Sequence, residues 1–144
     1  MVFGLKIIID EAAIHDIFKK LVNLKVIALI SSCLRDEDPE LASWAVFLLH
    51  EFAYRNYERE AIRNIKSLLS LLSSMLKKGD NTIPRIIFRI LKCLSKDNRD
   101  FKMKMASTNV LSKIVACMDT TDVETQYWSI SLIHELLKIG SNMI

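Results

Sequence analysis

Glycine and proline are scarce in this sequence, three and two among 144 residues. A domain built on hairpins needs many more residues suited to tight turns, so an all-β fold is disfavoured. Cysteine is scarce as well, and Cys33, Cys93 and Cys117 lie far apart. They have neither zinc-ligand spacing nor a paired redox motif, so no metal site and no disulfide framework is expected. Small buried thiols in a reducing compartment fit them better, which points to an intracellular protein, cytoplasmic or nuclear. No apolar run approaches membrane-spanning length, and the run at Leu68–Leu72 is already broken by Ser70. Residues 1–9 lack a small-residue cleavage site before Asp10 and Glu11, so a signal peptide is not expected there.

Signatures of catalysis are missing too. There is no His-Glu-x-x-His zinc motif, no glycine-rich phosphate loop and no Gly-x-Ser-x-Gly elbow. His15, His50 and His134 are the only histidines. Two of them precede Glu51 and Glu135, but successive helical residues diverge by about 100°, so neither pair is expected to form a dyad. The expectation is a protein that is not an enzyme and uses no cofactor.

What the chain does contain is apolar and charged in helix-forming proportion: 51% hydrophobic and 26% charged, rich in Leu, Ile, Lys and Glu. It also repeats. Asp38–Ala53 returns as Asp122–Leu137, so that Trp44 matches Trp128, His50 matches His134 and Glu51 matches Glu135. A weaker copy lies halfway, at Asp80–Ser95, which makes the period 42 residues. The middle segments keep the same register without a gap: Val26, Leu68 and Val110 correspond, as do Ile30, Leu72 and Ile114, then Leu34, Leu76 and Met118. A fixed period of this length marks a repeat array whose units bury their apolar faces on one another.

Apolar spacing and caps predict three helices per unit. The first unit carries helices at about 10–24, 25–35 and 38–54, the third capped by Asp38 with Pro39 in its first turn. The second carries about 57–64, 65–78 and 82–95, with Gly79 and Asp80 separating the last two. The third carries about 97–106, 109–118 and 123–139, with Gly140 as terminator. The units thus cover roughly 15–56, 57–98 and 99–140 of one all-α domain, with 1–14 as an N-terminal extension or partial helix.

An acidic turn, an apolar middle helix and a third helix ending in Leu-x-x-Leu/Phe, with a short first helix in each unit, resemble the armadillo repeat over about Lys19–Ile139. HEAT repeats, with two helices per unit, are the near alternative. The armadillo resemblance implies a right-handed α-solenoid whose third helices line a concave peptide-binding groove. In that family the groove stripe carries a Trp and, four residues on, an Asn. Matching the acidic turns places Phe47, Arg89 and Ser131 at the Trp position, and Glu51, Cys93 and Glu135 at the Asn position. A shifted register aligns Trp44 and Leu48 instead. Neither supplies the asparagine ladder with which nuclear-import carriers hold a basic peptide, so the resemblance does not extend to that ligand.

Trp44, Phe47 and Glu51 share one helical face, as do Trp128, Ser131 and Glu135. Two readings stand for the tryptophans: apolar anchors in a groove, or rings packed between repeats. Charge is distributed unevenly. Residues 1–62 hold seven basic and ten acidic side chains, residues 63–104 eleven and three, and residues 105–144 two and four. Arg85, Arg89, Lys92 and Lys96 form one stripe of the middle third helix, flanked at matching positions by Glu51 and Glu135. Again two readings stand. The stripe receives an acidic or phosphorylated segment of a partner protein, or it is a solvated face paired with Glu51 and Glu135. A binding scaffold is the function expected, and an assembly unit that stacks end-on into an oligomer or longer solenoid is the alternative. Nucleic acid ranks below both, because no aromatic series interleaves the short basic ridge.

Overall fold

A computed structural model of the chain describes residues 10–77 and 80–138. Among the described residues it is all-helical, with nine helices and no strand. They run in three sets: α1 (Glu11–Asn23), α2 (Val26–Leu34) and α3 (Pro39–Tyr54); α4 (Arg59–Arg63), α5 (Leu68–Ser74) and α6 (Ile83–Ser95); α7 (Arg99–Ala106), α8 (Val110–Met118) and α9 (Val123–Leu136). None of the helices is long and apolar enough to cross a membrane. The expected segment Val2–Ile9 and the breakers Gly79 and Gly140 lie outside the described residues.

Local chemistry explains most of the helix ends. Asp10 accepts a hydrogen bond from the Ala13 amide at 3.0 Å, Asp38 from Glu40 at 2.9 Å, Asn98 from Phe101 at 2.8 Å and Asp122 from Thr125 at 2.9 Å. Each satisfies an amide that has no partner inside its helix. Asp80 does the same work one turn earlier, accepting from Thr82 and Ile83 at 2.9 and 3.2 Å. Pro39 and Pro84 sit in the first turns of α3 and α6, where their missing donors cost nothing.

α5 is shorter than the apolar pattern predicts, seven residues beginning at Leu68. Ser67 before it is left-handed, with φ 61°, and this interrupts the right-handed helical path between α4 and α5. Lys25, at the matching position before α2, does likewise with φ 62°. The tight junction between first and second helices therefore falls on residues with a Cβ, at a cost of about 1–2 kcal/mol each. Here the scarcity of glycine has a structural consequence.

The third helices pack in series. α3 packs on α2 and on α6, α6 on α9, and α8 on α9, with α5 against α8. α6 is therefore covered on two flanks, and Ile87, Phe88, Ile90, Leu91 and Leu94 are all fully buried in it. Each such side chain contributes roughly 1.5–3 kcal/mol by leaving water. Only the stripe of α6 between those flanks remains for polar residues. At the N-terminal end, Phe18 stacks on Tyr57 at 4.3 Å and meets the edge of Phe52 at 4.8 Å, fixing α1 to the turn after α3. His15 and Tyr57 add a 2.7 Å hydrogen bond between Nδ1 and the phenol oxygen.

Candidate functional site

The polar stripe of α6 opens into a cleft of about 460 Å³ between α3 and α9. Four cations line it: Arg59 from α4, Arg89 and Lys92 from α6, and Lys96 at the C-terminal cap of α6. Tyr54 at the end of α3 and Trp128 on α9 supply its aromatic lining. The Arg89 guanidinium carbon lies 4.8 Å from the Trp128 ring centre and 5.2 Å from that of Tyr54. Lys92 Nζ lies 5.6 Å from the same Trp128 centre and donates a 2.6 Å hydrogen bond to Ser131 Oγ. Cations over aromatic faces are held by the ring quadrupole, about 0.5–2 kcal/mol each. Arg89 therefore bridges three successive third helices and, among the described residues, has no carboxylate partner. Its Nε is buried and makes no hydrogen bond.

The two glutamates expected to neutralise this stripe are occupied elsewhere. Glu51 Oε1 receives Arg55 Nε at 3.4 Å, one turn along its own helix. Glu135 is buried and pairs with the buried Lys102 of α7 at 3.2 Å, with Lys138 Nζ at 3.6 Å. Among the described residues, Arg89, Lys92 and Lys96 form no ion pair. Glu135, expected as groove wall, lines the cleft but with its charge already compensated.

The remaining sequence-selected residues are distributed as follows. Trp44 is 63% exposed and, among the described residues, meets only the Phe47 ring, edge-on at 5.5 Å. Trp128 is partly buried beneath the two cations, so the two matched tryptophans have different surroundings. Arg85 does not line the cleft; its charge adds a small pull to the lowered pKa of Asp122, which the hydrogen bonds from Thr125 mainly cause. Phe47 and Glu51 continue the stripe on α3 outside the cleft.

One geometric expectation fails. Although successive helical residues diverge, His50 Nδ1 and Glu51 Oε2 approach to 3.4 Å, because the longer Glu51 side chain curls back along the helix surface. The contact is long, and His50 is buried and stacked on Tyr54 at 5.4 Å. Burial is the main force lowering its pKa, and the charge of Arg89 adds to it, while Glu51 pulls the other way.

Tyr54 and Arg59 were missed by the sequence reading. Tyr54 lies seven residues after Phe47 and so on the same helical stripe, a signal that was present. Arg59 belongs to the short α4 and reaches the cleft only through the fold, its Nε donating to the Ala53 carbonyl at 2.8 Å. Cys93 also faces the cleft, and burial raises its thiol pKa despite the opposing pull of Arg59, Arg89, Lys92 and Lys96. No group of three His, Cys, Asp or Glu side chains suited to a metal ion occurs among the described residues. No protein-family model matches the chain, and no curated protein sequence matches it either.

Proposed function

We propose that this chain is an armadillo-like α-solenoid that serves as a protein-interaction module rather than an enzyme. Its ligand is an acidic or phosphorylated segment of another protein, received in the cleft on the third helices. The observation that carries this reading is the fate of the two glutamates. With Glu51 on Arg55 and Glu135 on Lys102, Arg89, Lys92, Lys96 and Arg59 stand together without an ion pair among the described residues. Like charges gathered in one cleft cost stability, and an anionic ligand removes that cost. Arg89, held between Tyr54 and Trp128, loses little rotamer freedom on binding. It offers planar, bidentate donors to a carboxylate or phosphate. The solenoid reading draws its support from the 42-residue register and from α6 packing between α3 and α9.

The test uses fluorescent peptides carrying phosphoserine among acidic residues, their unphosphorylated forms and a random oligonucleotide. Arg89→Glu and Lys92→Glu should each weaken the phosphopeptide by about tenfold or more, with the fold retained by circular dichroism. Equal binding by wild type and both variants counts against the cleft. Tighter binding of the oligonucleotide, with a steep dependence on salt, would assign the cations to nucleic acid instead.

A further inference from the structure

The three third helices occupy matching register, so their exposure can be compared position by position. One flank runs through Leu48, Ile90 and Leu132, exposed 38%, 0% and 0%. The opposite flank runs through Val46, Phe88 and Ile130, exposed 0%, 0% and 54%. The first flank is where a preceding unit packs, and it is open only on α3. The second is where a following unit packs, and it is open only on α9. Further positions obey the same rule. Leu41 is exposed where Ile83 and Thr125 are buried, and Leu137 is exposed where Ala53 and Ser95 are buried. Both open flanks keep the apolar residues of an internal joint, where a solvent-facing end would carry polar ones.

We infer that the α9 flank of one copy docks on the α3 flank of a second copy, extending the repeat register across the joint. This does not rest on the ligand of the cleft. Continuity with the joint between the second and third units names the contacts. Between units, Lys113 Nζ of α8 donates to the Ser73 carbonyl of α5 at 3.4 Å. Moved one unit on, the Ser73 position becomes Val115, and the Lys113 position becomes Leu29 of the next copy. A polar contact inside the chain thus becomes an apolar pair at its ends, and these two side chains are 57% and 63% exposed. The cations over Trp128 translate in the same way. Arg89 and Lys92 become Ser131 and His134, and Trp128 becomes Trp44 of the second copy. The exposure of Trp44, at odds with its partly buried counterpart Trp128, is then the exposure of half a joint.

Such a joint is heterologous, so copies add head to tail and the assembly grows unless it closes into a ring. Both outer thirds of the chain are net acidic, so screening by salt strengthens the joint, whereas it weakens anion binding in the basic cleft. Failure of one reading is therefore distinguishable from failure of the other.

Sedimentation of the full chain over a range of concentration tests the inference, with Leu48→Glu and Ile130→Glu as single variants. Both positions are exposed, and circular dichroism checks that the fold persists. Wild type should rise from 16.5 kDa towards multiples of it, with Trp44 emission moving to shorter wavelength in step. Each variant alone should associate about tenfold more weakly or less. An equimolar mixture should form a dimer and stop there, because Leu48→Glu keeps its α9 flank and Ile130→Glu its α3 flank. The inference is overturned by a wild type that stays monomeric. It is equally overturned by a mixture no larger than its components, or by single variants that assemble like wild type. Trp44 emission already blue-shifted at the lowest concentration would mean that the chain covers the α3 flank itself.

Discussion

The Arg89 guanidinium lies 4.8 Å from the ring centre of Trp128, on the neighbouring third helix, with no carboxylate among the described residues paired to it. A cation used in this way joins two repeats and still keeps its charge for a ligand. The coupling is measurable. In a double-mutant cycle with Arg89→Met and Trp128→Leu, unfolding by denaturant should return an interaction of about 0.5–2 kcal/mol. Additive single effects would mean that the two side chains are merely adjacent.

Lys102 and Glu135 form a buried ion pair, but their surroundings are unequal. Glu135 has Lys138 as a second cation at 3.6 Å, while Glu135 is the carboxylate that meets Lys102. Glu135→Leu strands a buried ammonium and should cost about 3–5 kcal/mol. Lys102→Met should cost less, and the double variant should return close to wild type. Thermal or urea unfolding of the three variants decides this; a double variant as unstable as Glu135→Leu alone would refute it.

His50 makes stability depend on pH. Burial first, and Arg89 second, hold its pKa below the ordinary 6.5, so the folded chain binds this proton less readily than the unfolded chain. The contribution is fully present above 6.5 and is lost as pH falls through the lower, folded value. Wild type should therefore lose stability between neutral pH and about pH 5 more steeply than His50→Gln does. Parallel pH profiles for the two proteins would remove His50 as the cause.

Ser67 and Asn56 are both left-handed, with φ 61° and 63°. Asparagine tolerates that region better than serine does. Ser67→Gly relieves about 1–2 kcal/mol of steric cost against about 0.5–1 kcal/mol of added unfolded-state freedom. A net gain of about 0.5–1 kcal/mol in unfolding free energy is expected, with a smaller gain for Asn56→Gly. A loss of stability in Ser67→Gly would show that the serine side chain does something the backbone account omits.

The helical class, the period and most helix ends were legible because they depend on neighbours in sequence. Asp10, Asp38 and Asp122 cap where their spacing to the following apolar residues says they should, since a cap bonds amides two or three residues away. The basic stripe was legible for the same reason, as a spacing along one helix. The shortened α5 was not. Ile65 precedes it and Met75 and Leu76 follow it, and its late start comes from the backbone of Ser67, a residue type that seldom adopts that conformation.

The sequence by itself determined that α6 carries four cations in one row and that its neighbours carry glutamates at matching positions. Only the tertiary structure decided that those glutamates turn to Arg55 and Lys102, leaving Arg89, Lys92 and Lys96 without an ion pair among the described residues. The same holds for the tryptophans, identical in local sequence role, of which Trp128 lies under two cations and Trp44 faces solvent. The physical reason is shared. Which partner a long charged side chain takes, and whether a ring is covered, depends on what an adjoining repeat brings within a few ångströms. A helix position states what a residue offers, and the elements packed against it settle what it meets.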